Sequence, residues 1–434
     1  MNQNQTLLQL QAQRGLPYVS DVNLLRHPIA WRFGVEIKGI MFMRLQQPEE
    51  DYQVLREQHP GVFIIPHERR EEDFGFMGLT PRSFKYRTQL GTQMSMTTWS
   101  PLSEARALGI PHPEYRWWTM KDNASVGISL DDLNDYPHIA GYHAFSFELV
   151  SPIFGNTERR FRELSTVINL LYSHELLFND TGGIDVHVGI DQYMLPLPVV
   201  RRIAAVCLAS DVALVRYHSD HKQDNQHRLL VRNTSNVAHG MTAQQAQRRN
   251  PMQLDGTVNF ENRRPPPTTV AQCVREILNA DSYATLDKLF RIDRGVLPTN
   301  YNFPTYTPQA VRGGPRATTT IEFCQYSANM DHADDLVAWI KVCLRICSFA
   351  ASVDEPTLTR LVDWCHSYEY AQQGPEANWR ELFRGFGGLD DVLNYYENDV
   401  PLVPELRPSS AEERMRAWRD WRDGPPPRDA GRQD

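Results

Sequence analysis

The chain has 434 residues, 41% of them hydrophobic, and a formal net charge of -8 at pH 7. A chain of this length and composition can bury a sizeable core, which argues against a disordered, collagen-like or low-complexity protein. The acidic balance and the lack of a sustained Lys/Arg block argue against nucleic acid as the principal partner. No apolar run is as long as a membrane span and no leader-like segment opens the sequence. We therefore expect a soluble, cytoplasmic protein that does not associate with membranes.

Hydrophobic periodicity predicts strands and helices in mixed order along the chain. The predicted strands are 30–40, 61–66, 115–122, 143–150, 184–191 and 318–326. The predicted helices are 50–58, a helix that follows Asn156, 197–217, 270–290, 332–350, 355–372 and 388–397.

Composition predicts a loose N-terminal tail at 1–20 and a C-terminal tail at 401–434. Length alone would allow two or three domains, and we expect one, at 21–400. Two irregular insertions, at about 68–113 and 218–267, interrupt this domain. Histidines of the second insertion could bind a metal, although polar loops collect histidines readily. These histidines are His218, His221 and His227.

The six cysteines are scattered and include no Cys-x-x-Cys pair. Cys343 and Cys347 lie four apart on a predicted helix, which is the spacing of half a zinc site, but no second pair completes it. We therefore expect the thiols to pack in the core of a protein from a reducing compartment. The other four are Cys207, Cys273, Cys324 and Cys365.

Four predicted strands carry acidic residues on the side opposite their apolar residues. In the strand 184–191, Ile184 and Val186 alternate with Asp185 and His187, beside glycines that weaken a strand unless something approaches its backbone closely. The corresponding side of the other three strands carries Glu36, Glu148 and Glu322. A half-exposed sheet with acids on its wet face is the alternative interpretation.

Helices on the apolar face of the sheet would leave the acids lining a cavity on the other face. We therefore predict an α+β fold with a mainly antiparallel sheet, helices packed on one face and an acid-lined cavity on the other. Several carboxylates in one cavity require cations, and carboxylate oxygens favour Mg²⁺ or Mn²⁺ over zinc. Such metals commonly also bind substrate phosphates, yet the sequence has no Gly-rich phosphate-binding loop.

These residues resemble the fungal-type amidoligase family, a branch of the carboxylate-amine ligases related to glutamine synthetase and glutamate-cysteine ligase. The similar motifs run from about residue 30 to 350 and include a final helix with Trp339. They are Phe33-Gly-Val-Glu-Ile37, Phe147-Glu-Leu-Val-Ser-Pro152, Gly182-Gly-Ile-Asp-Val-His-Val-Gly189 and Thr320-Ile-Glu-Phe-Cys-Gln325, followed by Asp331.

The resemblance implies a glutamine synthetase-like catalytic fold, with ATP and Mg²⁺ or Mn²⁺ bound against the sheet. It implies an amide bond-forming reaction in which ATP phosphorylates a carboxylate and an amine attacks the acyl phosphate. The partners are then small-molecule or peptide carboxylates and amines. The implied metal-binding acids are Glu36, Glu148 and Glu322, joined in the catalytic set by Asp185 and His187. The implied cofactor-binding residues are Lys38, His187, Asn302 and Gln325.

Three departures from the family pattern make the site more negative. Asp185 stands where the family usually has His, Cys324 where it has Arg, and Tyr326 where it has a second His. An Asp-x-Ser motif is displaced, so that either Asp122 or Asn123 takes the place of its acid. Cys offers neither the fixed charge nor the bidentate donors of Arg. The cations that could compensate are Lys38, Arg291 and Arg294.

Two functions are consistent with these features. The first is an ATP-dependent carboxylate-amine ligase with intact or altered activity. The second is a catalytically degenerate relative that keeps the fold as a binding or scaffold module. The sequence leaves the substrates and the oligomeric state open.

Overall fold

The computed structural model describes the greater part of the chain. The described residues are 29–59, 62–65, 83–87, 93–97, 118–123, 126–128, 134, 142–172, 176–179, 181–190, 195–215, 217, 230–248, 268–291, 300–303, 320–326, 333–370, 379–398 and 400–402. They form an α+β structure in which most strand pairings are antiparallel. None of the helices in these ranges combines the length and the apolar composition that crossing a bilayer requires.

The chain divides into two compact units, and each is described by itself. The first unit comprises Met1–Phe33, Asp185–Tyr326 and Ala338–Val400. The second unit comprises Gly34–Ile184, Ser327–Val337 and Pro401–Asp434. The predicted single domain at 21–400 stays a prediction.

The second unit is built mainly from strands, in the order β1-β6-β5-β4-β3, with β2, β7 and β8 also paired to β1. The β1–β6, β1–β8, β3–β4 and β5–β6 pairs are antiparallel, whereas β1–β2 and β4–β5 are parallel. Its elements are β1 Arg32–Leu45, α1 Tyr52–Gln58, β2 Phe63–Ile65, β3 Ser83–Arg87, β4 Gln93–Thr97, β5 Thr119–Asp122, β6 His143–Val150, β7 Phe154–Gly155, α2 Glu158–Tyr172 and β8 Leu176–Leu177.

Strand β1 shows why these residues form a sheet with one apolar face. Its first half alternates as predicted, with Phe33, Val35 and Ile37 buried and Glu36 and Lys38 partly exposed. From residue 39 to residue 43 every residue is buried, so both faces of the strand are covered there. The charged side chains of Glu36 and Lys38 therefore lie in the half of the strand that has one open face.

A glycine lets the segment before β9 approach β1. A Cβ atom placed on Gly182 would lie 2.8 Å from the carbonyl oxygen of Lys38. Only a residue without a side chain fits at this distance from another backbone. The close approach of the two backbones thus explains the glycine at position 182.

The first unit combines three strands with most of the helices. Its strands lie in the order β10-β11-β9, and β10 pairs antiparallel to β11. Its elements are β9 Gly183–Gly189, α3 Leu197–Val215, α4 Val231–Thr234, α5 Ala243–Arg248, α6 Val270–Leu278, α7 Tyr283–Phe290, β10 Tyr301–Asn302, β11 Thr320–Tyr326, α8 Ala333–Ser352, α9 Glu355–Tyr370, α10 Trp379–Phe386 and α11 Asp390–Asn398. The second segment of this unit begins within β9 at Asp185, and its third segment contains α8 from Ala338 onward.

Helix α3 is the core of the first unit. It is buried almost without interruption from Ile203 to Val215, and α6, α9 and α10 pack against it. Fully burying a Val, Leu or Ile side chain contributes roughly 1.5–3 kcal/mol, so this helix accounts for much of the stability of the unit. All six cysteines lie in the first unit and are buried thiols, as predicted.

Four parts of the structure differ from the predicted elements. The predicted helix 270–290 is two helices, because Ser282 caps α7 and its hydroxyl accepts a hydrogen bond from the Thr285 N–H. The predicted irregular insertion 218–267 contains α4 and α5, and three of its polar residues, Arg232, Ser235 and Asn236, are buried. The Arg232 guanidinium donates to the Thr268 carbonyl. Strands β3 and β4 lie in the other predicted insertion, and α10 was not predicted.

We expect Gly182→Ala to lower the free energy of unfolding by about 1–3 kcal/mol, because the new methyl group would press on the Lys38 carbonyl oxygen. Urea denaturation measures this loss. The matched control is Gly127→Ala, since a Cβ there meets nothing within 4 Å. Equal losses in the two variants would contradict the proposed close approach.

Candidate functional site

Strands β10 and β11 bring an asparagine to one of the predicted acids. Asn302 lies directly opposite Glu322 in the antiparallel pair, so both side chains project from the same face. Asn302 Nδ2 donates a hydrogen bond of 2.9 Å to Glu322 Oε2. The amide therefore orients the carboxylate of Glu322.

Three potential metal ligands meet on β9 and β11. One ligand atom each of Asp185, Glu322 and Cys324 lies within 4.8 Å of the other two. Asp185 is 2% exposed and Cys324 5%, so the group is largely shielded from water. Two carboxylates this close repel each other unless a cation or a proton intervenes. The two oxygens suit Mg²⁺ or Mn²⁺, and the sulfur extends the range to softer divalent ions.

His187 lies on the same strand as Asp185, two residues further along. Its Nδ1 is 3.1 Å from the Thr320 hydroxyl, which fixes the orientation of the ring. A ring nitrogen of His187 also lies within 4.8 Å of a carboxylate oxygen of Glu322. The first unit thus brings together Asp185, His187, Asn302 and Glu322, four of the predicted site residues. We call the part of β9, β10 and β11 that carries these residues and Cys324 the acidic face.

Gln325 is not part of the acidic face. Alternation along β11 turns it to the opposite side, where Nε2 donates to Tyr301 Oη at 2.8 Å and to Asp211 Oδ1 at 3.3 Å. Gln325 is 3% exposed. The described partners of Gln325, Asp211 and Tyr301, are buried residues of the protein itself. Its predicted contact with a cofactor stays a prediction.

Asp211 is a buried acid that sequence reasoning missed. It is fully buried in α3, and burial raises its pKa from the usual 3.8 to about 7, against hydrogen bonds from Arg232, Asn300 and Tyr301 that lower it. Burial and the charge of Asp211 raise the pKa of Tyr301 well above its usual 10, so this phenol stays protonated. A carboxylate within an otherwise apolar helix was the signal in the sequence.

Tyr326, one of the departures from the family pattern, packs on an aromatic cluster. Its ring stacks on that of Trp339 with a centroid distance of 5.9 Å, and Trp339 stacks in turn on Tyr217 at 5.6 Å. Aromatic pairs of this kind contribute about 0.5–1.5 kcal/mol beyond the area that they bury. Tyr326 thus anchors the end of β11 to helix α8.

The second unit carries its own group of charged side chains. Lys38 lies directly opposite Glu148 in the β1–β6 pair, and its Nζ is 3.9 Å from Glu36 Oε2. Glu148 is 9% exposed, and Glu148 Oε2 accepts a hydrogen bond of 3.0 Å from Asn123 Nδ2. Of Asp122 and Asn123, Asn123 is therefore the residue whose contact with an acid is described. Within the described ranges, Glu148 belongs to no group of three metal-ligand side chains.

The cations expected to compensate the extra negative charge are only partly described. Arg291 forms an ion pair of 2.7 Å with Asp287, and Lys38 lies near Glu36. Arg294 and the histidines His218, His221 and His227 lie outside the described residues. The predicted grouping of Glu36, Glu148, His187 and Glu322 in one cavity stays a prediction.

Comparison of the chain with protein families, with curated proteins and with solved structures finds no match. The geometry of the side chains therefore carries the functional argument.

We expect Asn302→Asp to lower the free energy of unfolding by about 1–3 kcal/mol at pH 8, because a second carboxylate replaces the donor to Glu322. Millimolar Mn²⁺ should restore part of this loss, since the new acid adds to the ligands of the acidic face. Urea denaturation with and without Mn²⁺ measures both effects.

The control for this prediction is Gln247→Glu, which also replaces an amide donor to an acid, Asp281, by a carboxylate, but on exposed side chains outside the acidic face. Any loss of stability in this variant should show no recovery in Mn²⁺. Equal recovery of both variants would show that the acidic face has no special affinity for the metal.

Proposed function

We propose that the protein is an ATP-dependent carboxylate-amine ligase of the amidoligase type, using Mg²⁺ or Mn²⁺. The observation that supports this function is the mutual approach of Asp185, Glu322 and Cys324 within 4.8 Å on the acidic face. The proposed fold is of the glutamine synthetase type, with the acidic face as one wall of the nucleotide site. The proposal includes metal-binding roles for Glu36 and Glu148 of the second unit.

A bound metal would offset the electrostatic cost of this arrangement. Asp185 and Glu322 are held close together in a shielded position, where the repulsion between two carboxylates is stronger than in water. The two residues lie on hydrogen-bonded neighbouring strands, so the separation of their backbones is fixed by the sheet. Such a pair favours the binding of a divalent cation, and the hydrogen bond from Asn302 keeps Glu322 oriented for it.

ATP with its metal ion would supply a phosphoryl group to the substrate carboxylate, giving ADP and an acyl phosphate from which an attacking amine displaces phosphate to form the amide. The residues of the acidic face would position the reactants and stabilise charge. His187, oriented by Thr320, is suited to donate a hydrogen bond to a phosphate oxygen. Asp185 and Glu322 would hold the metal through their oxygens.

A second candidate function, a binding or scaffold module without catalysis, is favoured by the packing of β11. Cys324 and Tyr326 stand at positions where the family has charged or titratable groups, and both are buried, at 5% and 8% exposure. Tyr326 is committed to the stack on Trp339. A strand that had lost catalytic contacts would keep interior contacts of this kind.

We expect ATP with Mg²⁺ at millimolar concentration to raise the melting temperature by about 2–6 °C, because a ligand that binds only the folded state stabilises it. The shift should disappear in Glu322→Gln and in Glu36→Gln, which remove a metal-binding charge with little change in size. Differential scanning fluorimetry measures the shift. A suitable control is Glu355→Gln, since this exposed residue lies in the first turn of α9. No shift in the unmodified protein would favour the scaffold function.

We expect Cys324→Arg to tighten nucleotide binding at least threefold if β11 borders the phosphates, because Arg supplies a permanent positive charge with bidentate donors. Isothermal titration with a non-hydrolysable ATP analogue and Mg²⁺ measures the dissociation constant. Cys324→Ser is the control, as it changes the same position without adding charge. Unchanged affinity in a folded Cys324→Arg protein would refute the placement of β11 beside the phosphates.

A further inference from the structure

The carboxylate of Asp211 joins helix α3 to three other segments in the interior of the first unit. Its Oδ2 accepts the Arg232 N–H of α4 at 3.1 Å. Its Oδ1 accepts Asn300 Nδ2 at 3.2 Å and Gln325 Nε2 at 3.3 Å. Helix α3 is thereby tied to α4, to the residue that precedes β10, and to β11.

Two of these hydrogen bonds reach the strand pair close to the residues of the acidic face. Asn300 lies two residues before Asn302, and its carbonyl accepts the Cys324 N–H at 2.8 Å. Gln325 directly follows Cys324 in β11. Because neighbouring residues of a strand point to opposite faces, Asp211 holds the strands from the side opposite Glu322 and Cys324.

The surroundings of Asp211 make this network sensitive to its charge. Three donors converge on its oxygens, which favours the ionised carboxylate, whereas complete burial favours the protonated form. The titratable or charged groups nearby are Arg232 of α4, Tyr301 of β10 and the buried thiols Cys207, Cys343 and Cys347 of α3 and α8.

Gln325 offers a second arrangement for the protonated acid. Its Oε1 is buried and has no hydrogen-bond partner in the described part of the structure. A buried acceptor without a donor is costly, by about 1–3 kcal/mol. Rotation of the amide by half a turn would bring Oε1 to Asp211, where a protonated carboxyl group can donate to it.

We propose that Asp211 is a positioning residue for the acidic face, because its hydrogen bonds to Asn300 and Gln325 fix where Asn302, Glu322 and Cys324 lie. The holding of the strands rests on these hydrogen bonds alone. Only the consequence for ligands of the acidic face rests on the proposed function.

The position is tested with Asp211→Asn, Asp211→Leu and the control Ser210→Ala. Asn keeps an oxygen for Asn300 and Gln325, whereas Leu removes every acceptor. Ser210 is equally buried, but its hydroxyl donates only to carbonyls of its own helix. Hydrogen exchange by mass spectrometry follows the strands 300–303 and 320–326, and the electron paramagnetic resonance of unbound Mn²⁺ reports metal affinity.

We expect exchange in these strands to be about tenfold faster in Asp211→Leu, within about threefold of the unmodified protein in Asp211→Asn, and unchanged in Ser210→Ala. The Mn²⁺ dissociation constant should rise most in Asp211→Leu, less in Asp211→Asn and not at all in Ser210→Ala. Exchange in Asp211→Leu at the rate of the unmodified protein would overturn the proposal. If hydrogen exchange changes as expected but the unmodified protein binds no Mn²⁺, the result supports the positioning of the strands by Asp211 and counts against the proposed function.

The pH profile of stability gives a readout that does not depend on whether Asp211→Leu folds. The pKa of Asp211 is higher in the folded chain than its usual value, so folding takes up a proton between about pH 4 and about pH 7. The melting temperature of the unmodified protein relative to Asp211→Asn should therefore fall by about 3 °C or more as the pH rises through this range. A constant difference between the two proteins would overturn the role of the Asp211 charge.

Discussion

Strand β11 has one face packed against interior helices and another face that carries potential metal ligands. Several contacts of the first unit hold the strand in this position. The strict alternation of side chains sends Glu322 and Cys324 to one side and Phe323 and Gln325 to the other. Phe323 packs edge-on against Trp339 of α8, and Gln325 bonds to Asp211 of α3. Over residues 322–325, helices therefore hold the strand from one side and potential ligands occupy the other. A site built on a strand of this kind has its geometry set by interior packing rather than by loops.

Much of this arrangement is encoded locally and could be predicted. Strand β6 spans His143–Val150, the range predicted, because a period of two is interrupted by the Ser-Pro sequence that follows. The acids Glu36 and Glu322 were found by the same logic, since a charged residue among alternating apolar ones has to face away from the core. Asn302 was singled out only by the family resemblance. Its contact with Glu322 depends on the pairing of β10 with β11, which a local sequence pattern does not give.

The parts that escaped prediction depend on partners distant in sequence. Arg232 and Asp211 are polar residues whose burial is made possible by the Thr268 carbonyl and by Asn300 and Gln325, and no local pattern announces such partners. For this reason α4 was mistaken for part of an irregular insertion. The family resemblance marked Tyr326 as a departure from a histidine, whereas its stacking on Trp339 supplies a packing reason for the residue.

Because every cysteine lies in the first unit, the reactivity of the thiols reports on local unfolding of that unit. All six thiols are shielded from solvent, and burial raises the pKa of those at Cys207, Cys343 and Cys347 well above 9. Thiolates, rather than thiols, react with alkylating reagents. A small alkylating agent would therefore modify the native chain slowly, and each adduct would record a transient exposure within the first unit. Fluctuations confined to the second unit would leave no such chemical trace.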